Sequence, residues 1–212
     1  GGAIASLPGA SPRLINCLLR GNSAEMGGAV YCTGGDVSLY NCTLAANTAT
    51  QGASLACRSP RLASPSHVSI HNCILWNQSD EIVNLDASIV DITYSTVYGG
   101  WPGIGNLDGD PLFVREAVPA EADWGDLRLR NCSMSADAGT ITLLPTDSAD
   151  LDGDGDTDEM LPLDLEGRPR LQGAAVDIGA YETMRIGRLL ADMNGDCAVD
   201  AGDLLMFTTC GT

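Results

Sequence analysis

Two short acidic stretches carry the residues best suited to chemistry. Asp192-Met193-Asn194-Gly195-Asp196-Cys197-Ala198-Val199-Asp200-Ala201-Gly202-Asp203 sets side-chain oxygens at positions one, three, five, nine and twelve of a loop, with the Ala198 carbonyl at seven. A hard Ca2+ ion takes about six to eight oxygens in a flexible shell, and this spacing wraps them around one ion. Leu204-Leu205-Met206-Phe207 then supplies a short helix. Upstream, Asp150, Asp152, Asp154, Asp156 and Asp158 repeat the first nine positions with Gly155 at six, but Leu161 stands at twelve and cannot coordinate. Glu159, Asp164 or water is then left to complete a calcium shell; the alternative is a solvated acidic loop. Carboxylates this close repel one another, so the loop is expected to order only around a cation.

A second chemistry is suggested by aromatics. Trp76 and Tyr98 fall at matching positions of adjacent repeats, with Trp101 just beyond. Exposed rings in a row stack on sugar faces; the competing expectation is a packed lateral ladder under the loop from Gly99 to Gly105. His67 and His71 flank a strand start with no evident Ser or Cys partner, and His71 reads as a surface turn residue. Asp80, Glu81, Asp86 and Asp91 are the acids near the aromatic row, so the turns offer little for polysaccharide cleavage.

The elements that position these groups are repeats. Asn16-Cys17-Leu18-Leu19 with Gly27-Gly28-Ala29-Val30-Tyr31-Cys32 recurs as Asn41-Cys42-Thr43-Leu44 with Gly52-Ala53-Ser54-Leu55-Ala56-Cys57, every position offset by 25 residues. Gly1-Gly2-Ala3-Ile4 ends an earlier copy, and His71-Asn72-Cys73-Ile74-Leu75 opens a later one after an insertion at Arg58–Pro65. A fixed period of this size marks stacked units, and each half-period is too short and too Gly/Asn-broken for a helix. Cys17/Leu19, Cys42/Leu44, Cys73/Leu75 and Ser95/Val97 alternate as strand positions facing a core. Each repeat can wind three short strands, with Asn22, Asn47, Gly27 and Gly28 at corners, and successive turns pair in parallel at about 4.8 Å. Stacked cysteines share a direction, so free buried thiols are expected at 17, 32, 42, 57 and 73 rather than bridges; Cys197 and Cys210 sit in or beside the calcium loop. The expected class is all-β, a right-handed parallel β-helix with a small C-terminal calcium-loop and helix appendage.

Composition bounds the partners. The 212 residues are 44% hydrophobic but only 5% aromatic, which allows a sizeable aliphatic core. The net charge of −17 is uneven: Glu25 and Asp36 are the only acids before Asp80, fifteen acids lie between Asp147 and Asp203, and there is no Lys. Nucleic acid is therefore excluded as an expected partner, and a divalent cation is favoured. No stretch is long and apolar enough to read as a membrane span. Gly1 falls inside a repeat, so the sequence reads as a fragment with earlier turns upstream.

From Gly105 the chain resembles secreted bacterial parallel β-helix proteins of the choice-of-anchor type. The likeness rests on Gly105-Asn106-Leu107-Asp108-Gly109-Asp110-Pro111-Leu112-Phe113-Val114, then Gly125-Asp126-Leu127-Arg128-Leu129 with Asp137-Ala138-Gly139, then Val176-Asp177-Ile178-Gly179-Ala180-Tyr181-Glu182. It implies the fold and an extracellular or cell-surface location. The segment Asp192–Asp203 resembles one calcium-binding half of a type I dockerin, with Asp203 at twelve and Cys197 where Gly is usual, which implies a cohesin-like partner or other surface anchor. The organisation expected is β-helix turns over 1–145, an acidic loop and closing segment over 146–184, a linker over 185–190 and the dockerin-like segment over 191–212. The expected function is adhesion or binding of a polysaccharide; the alternative is a fragment of a polysaccharide lyase or glycoside hydrolase whose catalytic turns precede Gly1.

Overall fold

The computed structural model describes residues 1–59 and 65–183. The dockerin-like loop, with Asp192, Asn194, Asp196, Ala198, Asp200, Asp203 and Cys197, and Cys210 beyond it, lies outside the described residues.

The chain winds as a parallel β-solenoid of about four turns. After β1 (Ile4–Ser6), the first turn holds β2 (Arg13–Ile15), β3 (Leu18–Arg20), β4 (Ser23–Met26) and β5 (Val30–Cys32). The second holds β6 (Val37–Tyr40), β7 (Thr43–Ala45), β8 (Thr48–Gln51) and β9 (Leu55–Cys57). The third holds β10 (His67–His71), β11 (Ile74–Trp76) and β12 (Ile82–Asn84), and a last turn β13 (Ile89–Thr93) and β14 (Thr96–Val97). Equivalent strands stack into three four-stranded parallel sheets, β1-β5-β9-β12, β2-β6-β10-β13 and β3-β7-β11-β14, with β4-β8 a short fourth. The repeat length suggests three short strands per turn; the third turn has three, while the first two carry a fourth, β4 and β8, which pair only with each other. The step from turn to turn is 25, then 31, then 22 residues, and the long step contains the insertion.

Register explains the interior. Leu19, Leu44, Leu75 and Val97 stack on one inward column and Val30 and Leu55 on another. With Leu39, Ile70 and Ile92 they fill one core from which water is excluded. A buried Leu contributes about 1.5–3 kcal/mol, so these ladders are the main source of stability.

The cysteine column does more than fill space. Cys17 and Cys42 donate their backbone N–H to the sulfur one turn on, at 3.4 and 3.3 Å, and Cys73 donates to Ser95 Oγ at 3.0 Å. Each thiol in turn donates to the carbonyl two residues before it. All five cysteines of the turns are free, as expected. The Cys42 thiol is pushed well up by burial, and Cys17 upward first by its bond to Cys42.

Corners follow two further columns. Asn16, Asn41, Asn72 and Tyr94 all take the left-handed conformation, φ 51°, 50°, 52° and 49°, at the corner leading into β3, β7, β11 and β14. Asn tolerates that region better than other side chains because its short amide bonds locally. Gly27 and Gly52 turn the corner before β5 and β9 at φ 61° and 67°, and a Cβ there would lie 2.1 and 2.0 Å from a carbonyl oxygen. Gly28 keeps an ordinary φ and is needed for room: its Cβ would meet Ala53 O at 2.5 Å.

From Leu107 the chain leaves the winding and returns along the outside of the β3-β7-β11-β14 sheet. A hairpin of β15 (Phe113–Arg115) and β16 (Asp126–Leu129) lays Phe113, Leu127 and Leu129 on Ala45 and Ile74, with Ile178 completing a second core. The return is pinned by amides of the corner column. Asn72 Nδ2 donates to Thr140 O at 2.9 Å and its Oδ1 accepts from Thr140 N at 2.9 Å. Asn16 Nδ2 donates to Leu163 O at 2.7 Å, and Ala180 N donates to Thr43 Oγ1 at 3.1 Å. Among the described residues, no helix is long and apolar enough to cross a membrane.

Candidate functional site

Two places gather polar side chains with something to do. The first is a cleft of about 180 Å³ between the solenoid and the outer hairpin, lined by Asn47, Thr48, Trp76, Asn77 and Gln78 on one side and Glu116, Ala117, Pro119 and Leu127 on the other. Its solenoid wall is built on an amide ladder. Asn47 Oδ1 accepts from the backbone N and the Nδ2 of Asn22 at 3.0 and 2.9 Å, and Asn47 Nδ2 donates to Leu19 O and Asn77 Oδ1 at 2.9 and 3.1 Å. Asn77 Nδ2 and Ser54 Oγ both donate to Glu81 Oε2, each at 2.6 Å. Glu81 is therefore a buried carboxyl at the end of the ladder, raised by burial and partly restrained by the bonds from Ser54 and Asn77.

The aromatics divide. Trp76 and Tyr98 meet edge to face, centroids 5.1 Å apart and planes at 81°, as the matching positions imply. Trp76 is half-buried against the second core and walls the cleft, while Tyr98 is 41% exposed. Trp101 does not continue the row. It packs on the interior core, where Asn106 bridges Trp101 O, Ile92 O and the Ser95 amide and so closes the end of the winding. Glu116, which the sequence did not single out, faces the cleft with its carboxyl raised by burial and then by the Asp110 carboxylate.

The histidines are strand residues, not turn residues. His71 lies in β10, its ring 5.5 Å from Tyr40 and its Nδ1 2.8 Å from Thr93 Oγ1, and Arg13 lies over Tyr40 at 5.0 Å. Stacking partners from three turns form an outward ladder that no two-residue motif announces.

The second place is the acidic loop. Its neck is closed by an antiparallel bridge of Thr146 with Met160, by Asp147 N donating to Glu159 O at 2.9 Å and by Leu161 N donating to Pro145 O at 2.8 Å. Inside, Asp150, Asp152 and Asp154 bring carboxylate oxygens within 4.8 Å of one another, and so do Asp147, Asp152 and Glu159. Asp156 and Asp158 join neither group; Asp156 Oδ1 accepts from Asp158 N at 2.9 Å. Asp164, considered for completing a shell, is taken up elsewhere, accepting from Glu166 N, Arg168 N and Glu182 N at 2.8 Å each. Asp147 is 1% exposed, and only its Oδ2 has a donor, Leu151 N at 2.7 Å. Glu159 is raised by burial and then by the surrounding Asp152, Asp154, Asp156 and Asp147 carboxylates.

Compared with protein-family models, with curated proteins and with solved structures, the chain gives no match.

Proposed function

We propose that this chain is a β-helix module displayed outside the cell, binding a polysaccharide in the cleft beside Trp76 and held in place by its calcium-dependent dockerin-like tail. The observation that carries the glycan reading is the pairing, in one cleft, of an indole wall with amide and carboxyl groups from Gln78 and Glu116. Sugars are recognised by this combination, an apolar ring face on an aromatic and hydroxyls on planar polar groups. The volume suits a single sugar ring of a longer chain. The disulfide at Cys132 fits an oxidising compartment. The tail reading rests on the ligand spacing of Asp192, Asn194, Asp196, Asp200 and Asp203, and its partner would be a cohesin-like domain or another surface anchor.

Sedimentation with insoluble polysaccharides tests the glycan reading. The parent chain is expected to co-sediment with at least one of cellulose, chitin or insoluble xylan, and Glu116→Ala and Trp76→Ala to weaken this. Because Trp76 also packs on the second core, Glu116→Ala is the cleaner variant; it should leave the melting temperature within about a degree, as exposed substitutions do. Equal retention of the parent and both variants would remove the cleft from the account.

A further inference from the structure

We infer that Asp147, Asp152 and Glu159 hold a divalent cation, calcium, at the neck of the acidic loop. Its residues belong neither to the cleft nor to the tail motif, and its ligand set brings in Asp147 and Glu159 beside Asp152 of the 150-152-154-156-158 spacing.

The first observation is convergence: one carboxylate oxygen from each of the three residues lies within 4.8 Å of the others. Two oxygens each about 2.4 Å from a shared ion can be at most about 4.8 Å apart, so the group fits one calcium shell. The second is independent of the clustering. Asp147 is buried, and its Oδ1 has no hydrogen-bond donor; neither does the buried Oε1 of Glu159. A carboxylate oxygen withdrawn from water without a donor is strongly unfavourable, and three carboxylates gathered this closely repel one another as well. A cation removes all of these penalties together. The donors are oxygens only, which suits a hard ion, and their irregular arrangement suits calcium better than the tight octahedron magnesium demands. Asp150 and Asp154 share a cluster with Asp152 and stand ready to extend the shell.

The consequence is structural. Asp147 and Glu159 already exchange a backbone bond across the neck, and Leu161 leads from it into the closing segment. A bound ion cross-links both sides of the neck and so fixes the path toward Arg170.

Calorimetric titration of CaCl2 into the full chain carrying Asp192→Ala and Asp203→Ala, which disables the tail loop, tests the site. One calcium site is expected to remain. Asp147→Asn in that background should weaken it by more than the roughly tenfold that loss of even an outer partner costs a metal site. Asp158→Asn should leave it unchanged, and Glu159→Gln repeats the test if Asp147→Asn does not fold. Absence of the residual site, equal affinity in both the Asp147→Asn and Glu159→Gln variants, or a loss with Asp158→Asn alone would overturn the assignment. Magnesium binding as tightly as calcium would overturn the choice of ion.

Discussion

The winding and the segment that returns over it are held together in opposite ways. Inside the turns, the same few contacts recur: Leu on Leu, Cys on Cys, Asn on Asn, each paired with its counterpart in the next turn. In the return, polar contacts occur once, at irregular separations from 5 to 154 residues. Arg170, 1% exposed, donates to Glu182 Oε1 at 2.9 Å, to the carbonyls of Gly179 and Ala180 at 3.1 Å each, and to Asn16 Oδ1, 154 residues away. Glu182 in turn accepts from Asp177 N, while Asp177 accepts from Asp137 N and Thr183 N. A ladder shares its stability over many equivalent members, whereas the knot around Arg170 concentrates it in one guanidinium. Loss of one rung should therefore differ in kind from loss of the knot.

The largest effect is expected from placing a charge inside the ladder. Leu44 is fully buried and touches equivalents on both sides. Leu44→Ala should cost about 2–5 kcal/mol, and Leu44→Asp more than a domain's whole margin of about 5–15 kcal/mol tolerates, so the charged variant should not melt cooperatively. A cooperative calorimetric transition in Leu44→Asp would refute the stacking register.

Arg170→Ala should come next. Removing one member of a buried polar cluster typically costs about 3–5 kcal/mol, here because Asn16 Oδ1, Glu182 Oε1 and the Gly179 and Ala180 carbonyls are left buried without their donor. If the knot and the ladder are separate in kind, denaturant unfolding of this variant should split, with an early phase belonging to the return. A single transition at the parent midpoint would contradict it.

A smaller loss is expected from the amide ladder. Asn47→Ala removes side-chain bonds to Asn22, Leu19 and Asn77 and leaves buried partners unpaired. At about 1–3 kcal/mol for an unsatisfied group, softened where the cleft admits water, the midpoint should fall without splitting. A second phase would assign the ladder to the return instead.

A test that leaves the sequence unchanged is pH. Glu182 is pushed up to about 8, first by burial and then by the Asp177 carboxylate, with Arg170 opposing. Its folded value lies above its unfolded one, so the folded state binds the extra proton; that stability is fully present below the ordinary Glu range and is lost as pH rises through about 8. Asp177 and Glu81, also raised by burial, act in the same direction. The melting temperature should fall between pH 5 and pH 9, and Glu182→Gln should flatten most of the slope. A rising profile would reverse the sign and remove burial as the cause.

How much was legible follows from the same contrast. The inward columns at Cys17/Leu19 and Cys42/Leu44 could be read because strand alternation and a constant period say where each side chain goes. The left-handed corner column at Asn16, Asn41 and Asn72 was in plain view as the repeated Asn before Cys, yet its conformation was not, since Asn serves strand ends and turns alike. Nothing in the spacing placed Arg170 beside Asn16, because a contact made once over that distance leaves no periodic trace. The acidic loop lies between these cases. The alternation of acids marked it, but Asp147 and Glu159 come together only when the neck of the loop closes, and Asp156 turns to its own backbone neighbours instead. Trp101 shows the limit of counting along a strand: after Gly99 and Gly100, both at positive φ, the chain no longer keeps the register that would have extended the Trp76–Tyr98 pair.

Hydrogen exchange followed by mass spectrometry on the parent and Arg170→Ala addresses the division most directly. With the knot broken, amides from 132 to 183 should exchange faster by a large factor, while β6, β7, β10 and β11 keep the protection their parallel pairing confers. Equal acceleration of those ladder strands would mean that winding and return are one cooperative unit, and the account of two differently built regions would fail.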